Sequence, residues 1–223
     1  MSLAQKYIPL VEFLAQALGE NFEVVLHDVS VPDSSIIAIG NSHISKRQVG
    51  GPVTDLALKI VKAGLKDNQD FICNYNGRLG NGNITRSSTY FIKNESGEIE
   101  GALCINMNIS PLLDAQEYIR SLIGHTTAPV QHNTHCNNNL ETAVEVFENL
   151  HETIDDVIHA IIDKVLSEFP VTPERMSAEE KIEAVKKLNE HGLFLLKGGL
   201  AAVAISMNVS EATIYRYLNK VKS

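Results

Sequence analysis

The sequence predicts an α+β chain: an antiparallel sheet domain flanked by helices, then a long connecting helix, then an all-α helix-turn-helix module. Three observations carry this. Short β-branched runs alternate with helical stretches over residues 1–123, an apolar heptad runs from Leu140 to Val165, and a helix-turn-helix pattern closes the chain at Leu200–Asn219.

The elements follow in order. Tyr7, Leu10, Val11, Leu14 and Leu18 recur at helical spacing and Gly19 ends that helix. Phe22–Val29 and Ser35–Asn41 are strand-like runs around a Val31-Pro32-Asp33 turn, which predicts a hairpin. Gly50-Gly51-Pro52 breaks the chain, and Thr54–Ala63 is a second helix. Three more strands are predicted at Asp70–Tyr75, Ile84–Lys93 and Glu100–Ile109, joined by Asn/Gly-rich turns at Asn74–Asn83 and Asn94–Gly97. Helix, two strands, helix, three strands is the order of a PAS-like sensor domain. Fold alone does not assign a ligand, so the pocket is argued from its lining.

Alternation puts Ser87, Thr89 and Phe91 on one face of their strand and Cys104, Asn106 and Asn108 on one face of theirs. Small polar groups beside apolar ones suit a small polar metabolite, and Ser87, Thr89, Phe91, Cys104 and Asn106 are the candidate ligand-binding residues; solvent-facing or internally satisfied side chains are the competing reading. His27-Asp28 is no catalytic dyad, because adjacent strand residues point to opposite faces. No phosphate loop, dinucleotide turn or fixed catalytic set is present, so no enzyme activity and no cofactor are expected.

Residues 124–139 are a polar connector rich in His, Asn and Thr. His125, His132, His135 and Cys136 lack the paired spacing of a zinc module, so no metal is expected. The three cysteines, Cys73, Cys104 and Cys136, are odd in number and widely spaced. They read as buried thiols of a reducing, cytoplasmic compartment. No apolar run is long enough for a membrane span, and no signal-peptide pattern opens the chain.

Over 140–169, Leu140, Val144, Phe147, His151, Ile154, Ile158, Ile161 and Val165 follow one another at intervals of 4 and 3. This predicts one long helix that pairs, either with the first helix of the sensor domain or with its twin in a homodimer, the arrangement expected here. Phe169–Pro173 stops it. Ser177 and Glu180 supply a capping box for the next helix, the first of the 174–223 module.

In the closing motif, Val203, Met207, Val209, Ile214 and Tyr217 face inward, Ala204 lets two helices approach, Asn208 takes the left-handed turn position and Ser210 caps the second helix. Ser210, Glu211, Ala212, Tyr215, Arg216 and Asn219 are left on the outer side, with Thr213 at its margin and Lys220 beyond. These are the candidate DNA-binding residues: Arg216 suits guanine, while Tyr215 and Lys220 suit phosphates. Charge agrees with that placement. Residues 1–124 carry 10 Lys/Arg and 13 Asp/Glu, residues 125–180 carry 2 and 11, and residues 181–223 carry 7 and 3, so only the last segment of a chain of net charge −8 is basic.

Glu23-Val-Val-Leu-His-Asp28, Val49-Gly-Gly-Pro-Val-Thr-Asp-Leu-Ala57, Ser87-Ser-Thr-Tyr-Phe91 and Gly192-Leu-Phe-Leu-Leu-Lys-Gly198, with the closing motif, resemble the YheO-like (DauR-type) bacterial transcription regulators. The resemblance covers most of the chain. It implies an N-terminal PAS-like domain, a C-terminal helix-turn-helix, and control of transcription by an internal signal. The alternative is a PAS-type signalling adaptor whose C-terminal helices bind another protein.

Overall fold

The computed structural model describes residues 2–63, 69–123 and 147–222. Helix α1 (Ile8–Leu18) follows a short 3-10 turn and ends at Gly19, whose φ of 88° is one that residues with a side chain rarely adopt. Strands β1 (Phe22–Asp28) and β2 (Ile36–Gly40) form the expected hairpin. Helix α2 (Asp55–Ala63) precedes β3 (Phe71–Leu79), β4 (Ile84–Lys93) and β5 (Ile99–Asn108).

The sheet has the order β2-β1-β5-β4-β3-β6, where β6 is Phe147–Leu150. Every neighbouring pair is antiparallel except β3 and β6, which run parallel with Gly77 opposite Glu148. The sheet is therefore mixed, where the sequence predicts a purely antiparallel one. Its outer face is closed by α1, with Val11 and Ala15 against Val24, Leu26, Ile92 and Leu103. On the inner face, Val25, Ile36, Phe91, Ala102 and Cys104 meet Leu56 and Ile60 of α2. Covered on both sides, Glu23 through His27 are all buried.

Four further expectations are corrected. β3 does not stop at a turn after Tyr75: Asn74 adopts φ 61°, the register shifts between Ile72 and Tyr75, and the strand resumes to Leu79 beyond this bulge. Residues 110–123, given no element by the sequence reading, form helix α3 (Ser110–Ile123), none of whose side chains is buried. Cys73 is exposed, because the bulge lies beside it, whereas Cys104 is buried as expected. The fourth concerns 140–169, which is not one helix. Phe147–Leu150 is strand β6, with Glu148 and Leu150 buried on either side of half-buried Asn149, a two-residue period.

Helix α4 (Ile154–Leu166) starts only at the Thr153 cap, whose hydroxyl oxygen accepts from Asp156 N–H at 3.2 Å. Its apolar stripe is not free for a second chain. Val157, Ile158, Ile161, Ile162 and Val165 lie in one core with α5 (Ala178–Glu190), α6 (Gly199–Ser206) and α7 (Glu211–Lys222). The partner is neither a twin nor α1; it is the helix-turn-helix itself. Residues 124–146, which include the polar connector, His125, His132, His135, Cys136, Leu140 and Val144, lie outside the described residues.

Candidate nucleic-acid interface and sensor interior

The C-terminal module is organised by local rules. Ser177 and Glu180 complete the capping box that opens α5. Asn208 stands at φ 51° between α6 and α7, and Ser210 Oγ accepts from Thr213 N–H at 3.2 Å at the start of α7. Val203, Ala204, Met207, Ile214, Tyr217 and Leu218 are buried and Val209 is partly buried, which fixes the rotation of α7. Ser210, Glu211, Ala212, Tyr215, Arg216, Asn219 and Lys220 are consequently exposed, with Thr213 half-buried. Glu211 sits in the first turn, where the helix dipole favours a carboxylate, and Arg216, Lys220 and Lys222 follow toward the C-terminal end. Beside this face an open groove of about 600 Å³ is lined by Ala201, Ala204, Ile205, Asn208, Val209, Ser210 and Glu211.

The sheet interior holds a second cluster. Cross-strand register places Ser87 opposite Asn106, Thr89 opposite Cys104 and Phe91 opposite Ala102, so the five candidate ligand residues share one buried face. The same rows continue through residues the sequence reading did not single out. Asn106 is opposite Glu23 on β1, and Ser87 is opposite Tyr75 on β3. Arg47, from the loop after β2, donates from Nη2 to Glu23 Oε1 at 2.7 Å, and Asn106 Nδ2 donates to the same oxygen at 3.0 Å. Ser45 donates its hydroxyl to Glu23 Oε2. The ion pair is fully buried, so its desolvation is offset only because these bonds are all made.

At the other end, Tyr75 donates its hydroxyl to Glu148 Oε2 at 2.9 Å and meets Thr89 Oγ1 at 2.8 Å, while Thr54 donates to Glu148 Oε1. Burial pushes the Glu148 carboxyl above its ordinary range and the Tyr75 phenol well above its own. The Cys104 thiol is pushed up to about 12, by burial first and then by the Glu148 charge, so it stays protonated. His27 is drawn down to about 3, by burial and then by Arg47, and its neutral ring shares a 2.8 Å bond between Nδ1 and Ser35 Oγ. Neither group is poised as a nucleophile or general base near neutral pH. Asp28 bonds Ser30 instead of His27, as opposite strand faces require.

Two features make this interior more than a core. Among the described residues, Arg47 Nη1, Asn106 Oδ1 and His27 Nε2 of this interior, and His151 Nε2 after β6, are buried without a hydrogen-bond partner, which costs about 1–3 kcal/mol for each such group. In addition, a cavity of about 10 Å³ lies between α2 and the sheet, lined by Leu56, Ala57, Ile60, Ile72, Tyr75, Thr89, Phe91 and Glu148. Helix α2 separates that cavity from the helical module. Its Leu56 and Ile60 face the sheet, while its Leu58, with Ala57 and Val53, belongs to the core built by α4–α7. The contact is close: a Cβ on Gly192, just after α5, would stand 2.9 Å from Leu58 Cγ. Asp55 pins the start of α2 by accepting from Asn149 N–H at 3.0 Å and Nδ2 at 2.9 Å.

Residues 2–124 match the YheO-like PAS domain. The chain belongs to that family. Residues 157–219 of this YheO-like protein also match a helix-turn-helix domain. Similar proteins extend over nearly its whole length: an uncharacterized protein of Haemophilus influenzae, 27% identical over 99% of this chain and 92% of that one; YheO of Escherichia coli K12, 25% identical over 99% and 85%; and the transcriptional regulator DauR of Pseudomonas aeruginosa, 26% identical over 98% and 94%. A PAS domain joined to a helix-turn-helix domain is the composition of a DNA-binding transcriptional regulator. No described helix is long and apolar enough to cross a membrane. Among the described residues, no three His, Cys, Asp or Glu side chains are grouped to hold a metal ion.

Proposed function

We propose that this YheO-like protein is a cytoplasmic, sequence-specific DNA-binding transcriptional regulator whose PAS domain senses a small polar molecule and acts on DNA binding through α2. The observation that carries the reading is the division of α7 into a locked inner face and an exposed outer face. Ile214 and Tyr217 are buried, while Tyr215, Arg216, Asn219 and Lys220 point away from the core. Its likeness to a relative named as a transcriptional regulator supports the same reading. The link to sensing rests on α2: a molecule entering beside Leu56, Tyr75 and Thr89 presses on a helix whose opposite side is part of the reader's own core.

A reader of two half-sites acts as a pair. With the α4 stripe buried, α3 is the pairing surface of the proposed homodimer. Leu112, Ala115, Ile119 and Leu122 follow at intervals of 3, 4 and 3 on a helix with no buried side chain. The adaptor alternative keeps one observation in its favour: Ile205 is 80% exposed at the rim of the α6–α7 groove, an apolar contact a protein partner would cover.

The two readings separate on substitutions in α7. Arg216→Ala is expected to weaken binding to the preferred duplex by about 1–3 kcal/mol and relax discrimination at one base position per half-site. Lys220→Ala is expected to weaken all duplexes alike and reduce the salt slope by about 1. Fluorescence anisotropy over a salt series measures both. Unchanged binding in both variants would transfer the helices to the adaptor reading.

A further inference from the structure

Three unpaired atoms are buried in the sheet interior, Arg47 Nη1, Asn106 Oδ1 and His27 Nε2, and the first two, a donor and an acceptor whose side chains meet at Glu23, define the chemistry of the molecule that fits there. Arg47 and Asn106 bond the same atom, Glu23 Oε1, and each leaves one polar atom with no partner among the described residues: Nη1, which can only donate, and Oδ1, which can only accept. Both side chains are buried. Neither residue lines the cavity under α2, which is reached from Asn106 across the sheet through Ser87, opposite Asn106, and Tyr75, opposite Ser87 and itself part of the cavity wall.

Charge narrows the choice. The Arg47 guanidinium is already matched by Glu23, and Glu148 is a second buried carboxyl nearby, so an anion would add to an interior that lacks a free cation among the described residues. A cation fares no better. Both Glu148 oxygens accept from hydroxyls of Thr54 and Tyr75, and both Glu23 oxygens are taken by Arg47, Asn106 and Ser45. What remains is an uncharged group carrying an acceptor and a donor side by side.

Resting on the reading of this interior as the sensor site, we propose that it binds a small uncharged molecule by an amide edge. The ligand's carbonyl oxygen accepts from Arg47 Nη1, its N–H donates to Asn106 Oδ1, and its apolar body extends past Ser87 toward Tyr75 and the cavity under α2. The present cavity, about 10 Å³, has room for about one water. The ligand enters by displacing α2, which carries the movement into the core around Leu58.

The test compares three probes of equal size and different head group, propionamide, propionate and propylamine, at equal millimolar concentration with the full chain. Propionamide is expected to raise the melting temperature by about 2–4 °C, the other two to leave it unchanged, and Asn106→Leu to abolish the shift. Should that variant fail to fold, saturation-transfer NMR from the wild-type chain to the propionamide methyl supplies the same answer. A larger shift with propionate or propylamine overturns the amide class while leaving the interior a ligand site. No shift and no transfer with any probe overturns the site itself, with the unpaired atoms satisfied by water.

Discussion

Ile158→Asp is expected to unfold the C-terminal helical core. Ile158 is 2% exposed and belongs to the apolar core that α2, α4, α5, α6 and α7 share. The substitution removes a buried apolar side chain, which alone costs about 2–5 kcal/mol, and places a carboxylate in an apolar core, so the sum exceeds about 5 kcal/mol and puts it in the exceptional class of destabilising mutations. Thermal unfolding by circular dichroism should show loss of the helical transition, and DNA binding should disappear with it. The matched change on α3, Ile119→Asp, is expected to do the reverse. Ile119 is 55% exposed, so the fold is retained while the pair dissociates in sedimentation. A folded Ile158→Asp chain that merely became monomeric would restore the α4 seam.

Arg47→Met is the second large effect. It leaves Glu23 buried with hydrogen bonds from Ser45 and Asn106 but no cation, and breaking a buried pair from one side costs about 3–5 kcal/mol. Removing both charges together in Arg47→Met/Glu23→Leu should recover much of that loss, because the desolvated carboxylate is then gone. Urea denaturation of the two variants measures the difference. A loss below about 1 kcal/mol in Arg47→Met would mean that the pair is hydrated, since exposed pairs are worth that little.

What the sequence makes legible is what is local. Asn208, Ser210, Ile214 and Tyr217 lie within ten residues, and turn chemistry, capping and helical spacing act over that range, so the placement of α7's faces follows from the chain itself. The β4/β5 face follows from alternation in the same way, which is why Ser87, Thr89, Phe91, Cys104 and Asn106 emerge together.

The remainder depends on pairing over distance. Arg47 in a loop reads as a surface residue, and only Glu23, 24 positions earlier, makes its burial possible. Glu148 sits in an acidic stretch that reads as a solvated helix face. Its strand exists because it adds to the free edge of β3 some 70 residues upstream, and four residues are too few for a two-residue period to outweigh a heptad running past them. The same heptad misled on dimerisation: spacing reports that a helix has an apolar stripe, and does not say which neighbour covers it.

Selection of bound duplexes from a random pool by the purified wild-type chain tests the central reading most directly. The account predicts enrichment of a pseudo-palindromic site whose half-sites lie about 10–10.5 bp apart, or a multiple of that, centre to centre, with affinity falling linearly in the logarithm of salt concentration. Recovery of no sequence above the non-specific background would contradict it.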